Sequence, residues 1–299
     1  MAYHTPVLPE ACIKGLEINP DGIYVDLTMG GGGHTRAILN QLSAKGKVFA
    51  FDQDPEAGQN VPEDERVIFI RQNFRFFINY LRYYGISGVD GILADLGVSS
   101  HHFEGSARGF SFRQDEPLDM RMDTDQKLTA AFVLNEYDPH SLVQIFKRYG
   151  EIKNAYSLAK TIESARMEKP IKTIGQFLEL IDPLLPVKTR NKQLARIFQA
   201  LRIEVNQEIE QLKKMLLLVP HCLKKGGRLV VLSYHSLEDR IVKNFIKTGD
   251  PEGRFEKDLY GNFEAPMVPV NRKVITPDEE EIKRNSRARS ARLRIAQKN

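Results

Sequence analysis

Short runs that are apolar on both faces recur about every 20 residues in the first hundred positions, and no other feature of the chain restricts its fold so tightly. They are Ile23–Asp26, Lys47–Asp52, Arg66–Ile70 and Val89–Asp95. A strand that shows water neither face belongs inside a parallel sheet, and each parallel neighbour must be reached by a crossover, usually helical. The stretches between have that character. Ala37, Ile38, Leu39 and Leu42 cluster in one, and Phe77, Ile78, Leu81 and Tyr84 in another that ends before Gly85. Three of the four runs end in an acid: Asp26, Asp52 and Asp95.

The alternation then stops for about a hundred residues. Helical patterns are expected at 129–134, 139–149, 155–168, 174–181 and 193–204, with Pro170, Pro183 and Pro186 marking breaks. A plain crossover needs only a few tens of residues, and structureless loops of this length are rare. The segment therefore reads as an inserted helical subdomain at 112–205, with 1–111 and 206–299 forming one discontinuous domain. The strand–helix pattern resumes with an apolar stripe at Ile209, Leu212, Leu216 and Val219, expected to break at Pro220. A fifth buried strand is expected at Arg228–Ser233, after the Gly226-Gly227 turn. Next comes a helix from Ser236 to Lys247, for which Ser236 is the expected N-cap and Asp239 the capping-box residue. A last strand is expected within Val268–Ile275, and Pro277-Asp-Glu-Glu reads as a helix start.

Composition excludes several classes. A hydrophobic fraction of 41% and a charged fraction of 27% are ordinary for a soluble folded protein. No apolar run is long enough to span a membrane, and the N-terminus lacks the basic and apolar regions of a secretory signal. Cys12 and Cys222 are the only cysteines, too few for a disulfide scaffold, so a cytoplasmic location is expected. Net charge is +4, but residues 283–299 hold seven basic residues and no acid, which leaves the rest near −3. Such an end suits a phosphate backbone, or simply keeps the chain in solution.

Gly30–Gly33 lie between the first strand and the next helix, where a sharp turn lets backbone approach a ligand closely. Asp52, some 20 residues on at the end of the second strand, stands where an acid accepts both hydroxyls of a bound ribose. The dinucleotide glycine spacing is only approximately matched. Acids at Asp26, Asp52 and Asp95 suit a cationic ligand such as S-adenosylmethionine better than the two phosphates of NAD. After the fourth strand, Asp95-Leu-Gly-Val-Ser-Ser100 falls on the edge where such sheets keep their chemistry, and Gly105–Met122 follows as a charged, aromatic lid or substrate-reading loop.

These motifs together resemble a known family. The matching stretches are His4-Thr-Pro-Val-Leu8, Gly31-Gly-Gly-His34, Asp52-Gln-Asp-Pro55, Asp90–Ser100, Arg108-Gly-Phe-Ser-Phe112 and Pro117–Met122. Phe198–Asn206, Ser233–Arg240 and Arg287–Arg294 continue the match nearly to the end. The chain resembles the RsmH (MraW) family, bacterial enzymes that methylate the exocyclic N4 of a cytosine in 16S (small-subunit) ribosomal RNA. The resemblance implies a class I S-adenosylmethionine-dependent methyltransferase (Rossmann-like) fold with an inserted all-helical subdomain. It implies Gly32, Gly33, His34, Asp52, Phe74, Asp95 and His102 as the cofactor site. Two departures stand out. The family continues Val-Ser-Ser with Pro-Gln where this chain has His101-His102, and its Phe-His-Ser is Tyr234-His235-Ser236 here.

Methyl transfer from a sulfonium needs alignment and removal of a proton, and no metal. Asp95 is the first candidate to accept a hydrogen bond from the amine and His235 the second; either has an alternative, as a cofactor contact and a helix-start residue respectively. A base inside folded RNA must turn outward. Arg108, Phe110, Phe112 and Arg113 are candidates to stack on it and hold its phosphates, core packing being the alternative for the two phenylalanines. Arg289, Arg292 and Arg294 are the tail's candidates. The expected partner is 16S rRNA in the small subunit or an assembly form of it, met by the enzyme alone or as a homodimer. Two other functions share parts of the pattern. An NAD-dependent dehydrogenase would bind NAD in place of adenosylhomocysteine, and an RNA-binding assembly factor would bind RNA without methylating it.

Overall fold

Alternating side chains of the central strands supply two separate apolar cores, one on each face of the sheet. In the computed structural model, which describes residues 6–97, 108–255 and 264–299, contacts divide the chain into two compact units. Residues 1–97 and 209–299 form one and residues 98–208 the other, cuts that differ from the 112 and 205 limits suggested by sequence.

The first unit holds seven strands: β1 (Ile23–Asp26), β2 (Lys47–Asp52), β3 (Val67–Arg71), β4 (Val89–Asp95), β5 (Leu223–Ser233), β6 (Met267–Pro269) and β7 (Arg292–Lys298). Their order is β3-β2-β1-β4-β5-β7-β6. The first five run parallel, and β7 enters antiparallel to both of its neighbours. Val25, Phe49, Ile92, Leu229 and Val231 point to one face. There they meet α3 (Phe77–Tyr83) through Phe77, Ile78 and Leu81, and α9 (Glu208–Cys222) through Leu212, Met215 and Leu216. Helix α10 (Ser236–Thr248) completes that layer with Val242, Phe245 and Ile246. The alternate residues Tyr24, Val48, Leu93, Val230 and Leu232 point the other way. They pack on Cys12 and Leu16 of α1 (Pro9–Leu16) and on Ile38 and Leu39 of α2 (Gly33–Leu39). The unit is the class I methyltransferase fold that the resemblance implied.

Three local features differ from what the sequence suggested. The basic end carries a strand that its charge pattern did not announce, β7, with Leu293 and Ile295 buried on one face of the sheet. Pro220 does not end α9, which runs on to Cys222; a proline in the last turn forfeits one hydrogen bond without stopping the helix. The strand expected at 268–275 is also shorter, since of that stretch only Val268 and Pro269 pair, within β6 (Met267–Pro269), while Ile275 makes an isolated bridge to Leu293.

The second unit is helical: α4 (Ala130–Glu136), α5 (Pro139–Arg148), α6 (Ala155–Glu168), α7 (Ile174–Ile181) and α8 (Arg190–Asn206). Three starts are fixed by side-chain caps that satisfy otherwise orphaned amides. Thr129 accepts from Phe132 N, Asp138 from Ser141 N, and Thr173 and Gln176 form a reciprocal box. Leu134, Phe146, Ile162, Phe177, Ile197 and Leu201 anchor its own core. Asn206 ties the incoming loop to α8, accepting from Met122 N at 2.8 Å and donating to Met120 O at 2.8 Å.

Candidate active site

Strands β2, β1, β4 and β5 are neighbours, so their carboxyl ends bring Asp52, Asp26, Asp95 and Tyr234 onto one edge of the sheet. Asp26 is fully buried. Its Oδ2 accepts from the Thr35 hydroxyl at 2.6 Å and its Oδ1 from Thr28 N at 3.1 Å. Burial raises its pKa, against the lowering effect of the Thr35 hydrogen bond and the His34 charge. Asp26 therefore joins the glycine turn to α2 from within and does not face a ligand, which corrects its expected place among acids lining the pocket. The Thr28 hydroxyl in turn accepts from Asp95 N at 2.7 Å, so the turn and the end of β4 are set together.

The turn is held from outside as well. Gly30 N donates to Asp52 Oδ2 at 2.8 Å, and Asp54 N donates to Asp52 Oδ1 at 2.8 Å. Both Asp52 carboxylate oxygens thus fix the turn from outside. Arg36 donates to Gly31 O at 2.7 Å and to Asn60 O at 2.9 Å, while Asn60 Nδ2 donates to Gly30 O at 3.1 Å. Gly32 has φ +74°, and a Cβ there would lie 2.6 Å from Arg36 Nη1 and 2.8 Å from Asn60 O. At Gly30, φ is +48° and the added atom would meet nothing closer than Thr28 O at 3.9 Å. The chain is crowded on one side of the turn and open on the other, as a backbone that must admit a ligand requires.

His34, the second residue of α2, is 5% exposed. Its Nε2 lies 3.4 Å from Asp95 Oδ2, and among the described residues Nδ1 has no hydrogen-bond partner. Burial disfavours its charged form, but the Asp95 and Asp26 carboxylates prevail and raise the imidazole above its ordinary 6.5. Asp95 is reached from the other side by the Tyr234 hydroxyl, which donates to Oδ1 at 2.7 Å. Burial, the Asp95 charge and this hydrogen bond push the Tyr234 phenol well above 10, so it remains a donor. Sequence reasoning placed Asp95 and His34 here but gave Tyr234 no role. Its position directly after β5 was the available signal.

Phe74, expected in the cofactor site, opens a short 3-10 turn after β3 and is partly buried against the sheet core. Beside it, Asn73 Nδ2 donates to Gln53 Oε1 at 2.5 Å and to Gln211 Oε1. These amides join the ends of β2 and β3 to α9, a link no sequence motif announced. His102 lies outside the described residues.

The remaining expectations fare unevenly. His235, not Ser236, is the N-cap of α10: its Nδ1 accepts from Glu238 N at 3.4 Å. Glu238, not Asp239, occupies the capping-box position and takes Tyr234 N at 3.0 Å, with its Oε1 3.1 Å from His235 Nε2. The structure thus gives His235 the helix-start task that was its alternative to a catalytic one. Phe110 is buried in the helical core, and the partly buried Phe112 ring meets Phe198 edge-on at 5.5 Å, so both phenylalanines take part in core packing. Arg108 reaches the carbonyls of Arg121 and Met122 at 3.3 Å, whereas Arg113 is exposed. In the tail, Arg294 is committed to Asp239 at 2.6 Å and Arg292 shares that acid at 3.1 Å, while Arg289 is exposed. Burial works against the Asp239 charge, yet the two guanidiniums win and hold its carboxyl below the usual range.

Known proteins match the chain along its whole length. Ribosomal RNA small subunit methyltransferase H of Bacteroides thetaiotaomicron is 55% identical over 298 residues, covering 100% of this chain and 98% of that protein. The protein of that name from Flavobacterium johnsoniae is also 55% identical, with the same coverage. The sequence pattern of the MraW methylase family matches residues 1–299. With the seven-stranded sheet and its glycine turn already in place, this full-length match settles the family: the chain belongs to the MraW methylases.

Proposed function

We propose that this methyltransferase moves a methyl group from S-adenosylmethionine to the exocyclic N4 of a cytosine in 16S (small-subunit) ribosomal RNA, with Asp95 receiving the amine. The single observation that carries the chemistry is the Asp95 carboxylate at the end of β4. Its side chain is 23% exposed, Oδ1 takes the Tyr234 hydroxyl, and Oδ2 faces His34 at 3.4 Å. The substrate class comes from the relatives, whose name specifies small-subunit RNA.

Asp52 and the glycine turn at Gly30–Gly33 would lie against the adenosine end of the cofactor, with His34 beside it. When bound, S-adenosylmethionine supplies a methyl carbon whose bond to sulfur breaks with its electron pair left on sulfur. The nitrogen attacked is a poor nucleophile, because its lone pair is delocalised into the cytosine ring. Asp95, accepting a hydrogen bond from that amine, localises the pair, and it takes the proton released once nitrogen is bonded to the methyl. Arg113 and Arg289 are the exposed candidates for RNA phosphates, with Arg292 contributing from its exposed side. The substrate is presented in the small subunit or an assembly form of it.

Two measurements test this. Nucleoside mapping of small-subunit RNA, with and without the protein, should show one N4-methylated cytosine that depends on it; an unchanged map sinks the assignment. For Asp95→Asn, the expected result is near-normal affinity for adenosylhomocysteine with a lost single-turnover rate. Lost affinity with a normal rate at saturation would instead make Asp95 a cofactor ligand only.

A further inference from the structure

We propose that Tyr234 is a positioning residue for Asp95, its hydroxyl fixing the carboxylate so that Oδ2 meets the acceptor amine. The proposal deepens the assignment of Asp95 above and rests on it. Strands β4 and β5 pair with Asp95 opposite Leu232, so Tyr234 leaves β5 two residues further on, alongside the β4 end. The terminal torsion of an aspartate is broad, and hydrogen bonds decide the plane of its carboxylate. Among the described residues the bond formed to this carboxylate is the one from the Tyr234 hydroxyl at 2.7 Å, His34 standing at 3.4 Å without a hydrogen-bond geometry.

The tyrosine is itself held at both ends, so its hydroxyl is placed in advance of any substrate. Its backbone amide donates to Glu238 Oε2 at 3.0 Å. Its ring lies against the backbone of Gly97, where a Cβ would come within 2.9 Å of Cδ2 and 3.1 Å of Cε2. Residue 97 must be a glycine for the ring to lie there, so the ring and the β4 exit are fitted to each other. The phenol does not ionise in the working range, because burial and the Asp95 charge both oppose a second anion.

Tyr234→Phe removes the hydroxyl and leaves the ring on Gly97, so the fold should survive with its melting temperature nearly unchanged. At saturating cofactor and small-subunit RNA, the single-turnover rate should fall about ten-fold, the scale of one lost hydrogen bond to a charged group. The KM for RNA and the calorimetric Kd for adenosylhomocysteine should stay within about two-fold of wild type. A merely structural residue would move affinity and rate together. An unchanged rate, or a loss appearing mainly in Kd or KM, overturns the proposal while the wild-type activity stands. A wild-type protein that methylates no small-subunit RNA sinks the proposal and the functional reading together.

Discussion

Asp26 and Asp52 look alike in the sequence, each an acid closing a buried strand, and the structure gives them opposite surroundings. Asp26 is sealed under the turn by Thr35 and Thr28, whereas Asp52 holds the turn from a partly exposed position. Position along a strand was legible; which groups each carboxylate would accept from was not, because those groups come from elsewhere in the chain. The turn itself offers a sharp test. Gly32→Ala would place a methyl against Arg36 and Asn60 in a left-handed conformation that costs about 1–2 kcal/mol for an L residue. Affinity for adenosylhomocysteine should drop about five- to thirty-fold by calorimetry, the same energetic scale. His34 gives a pH signature. Its folded-state pKa is raised, so its contribution to stability is complete below 6.5 and is lost as pH climbs through the folded value. Imidazole NMR should show a midpoint above 6.5 that Asp95→Asn brings down.

At the scale of elements, helices were read well where apolar spacing is clear, as at 155–168 and at 174–181, the second of which also has a cap, and the structure reproduces both. Strand β7 was missed for a physical reason. Its sequence alternates Arg292, Leu293, Arg294 and Ile295, and the charge bias of the tail concealed a period-two pattern with one buried face. The arginines are tolerable in a strand inside the sheet because Asp239 of α10 receives two of them. Asp239→Asn should therefore destabilise the protein by about 2 kcal/mol, the scale of hydrogen bonds between charged partners. The pH dependence follows from the depressed carboxyl. The wild-type contribution is present above the unfolded value of about 3.9 and is lost as pH falls through the lower folded value. Thermal melts between neutral and acid pH should show the two proteins converging only at the acid end.

At the scale of the molecule, the sequence pattern separated an alternating part from a helical part because hydrophobic period changes between them. The limits were harder to read, since loops near a boundary carry little period of their own. Every residue of the helical unit's main core lies between Phe110 and Val205. A core built wholly from one contiguous segment of about 100 residues can support an independent domain. Residues 108–208 expressed alone should be helical by circular dichroism and melt cooperatively; a non-cooperative melt would show that the segment needs the rest of the chain.

The place of β7 between β5 and β6 also sets a timetable. During synthesis β1 to β5 can pair as they emerge, but β5 keeps an unpaired edge until residues 292–298 have been made, about sixty residues after it. An open strand edge is where chains mispair and aggregate. The nascent protein therefore passes through a stage, late in translation, when most of its sheet is built and one interior edge is still exposed. Ribosomes stalled before residue 292 should hold chains that a strand-binding chaperone captures, and release should follow once β7 clears the exit tunnel.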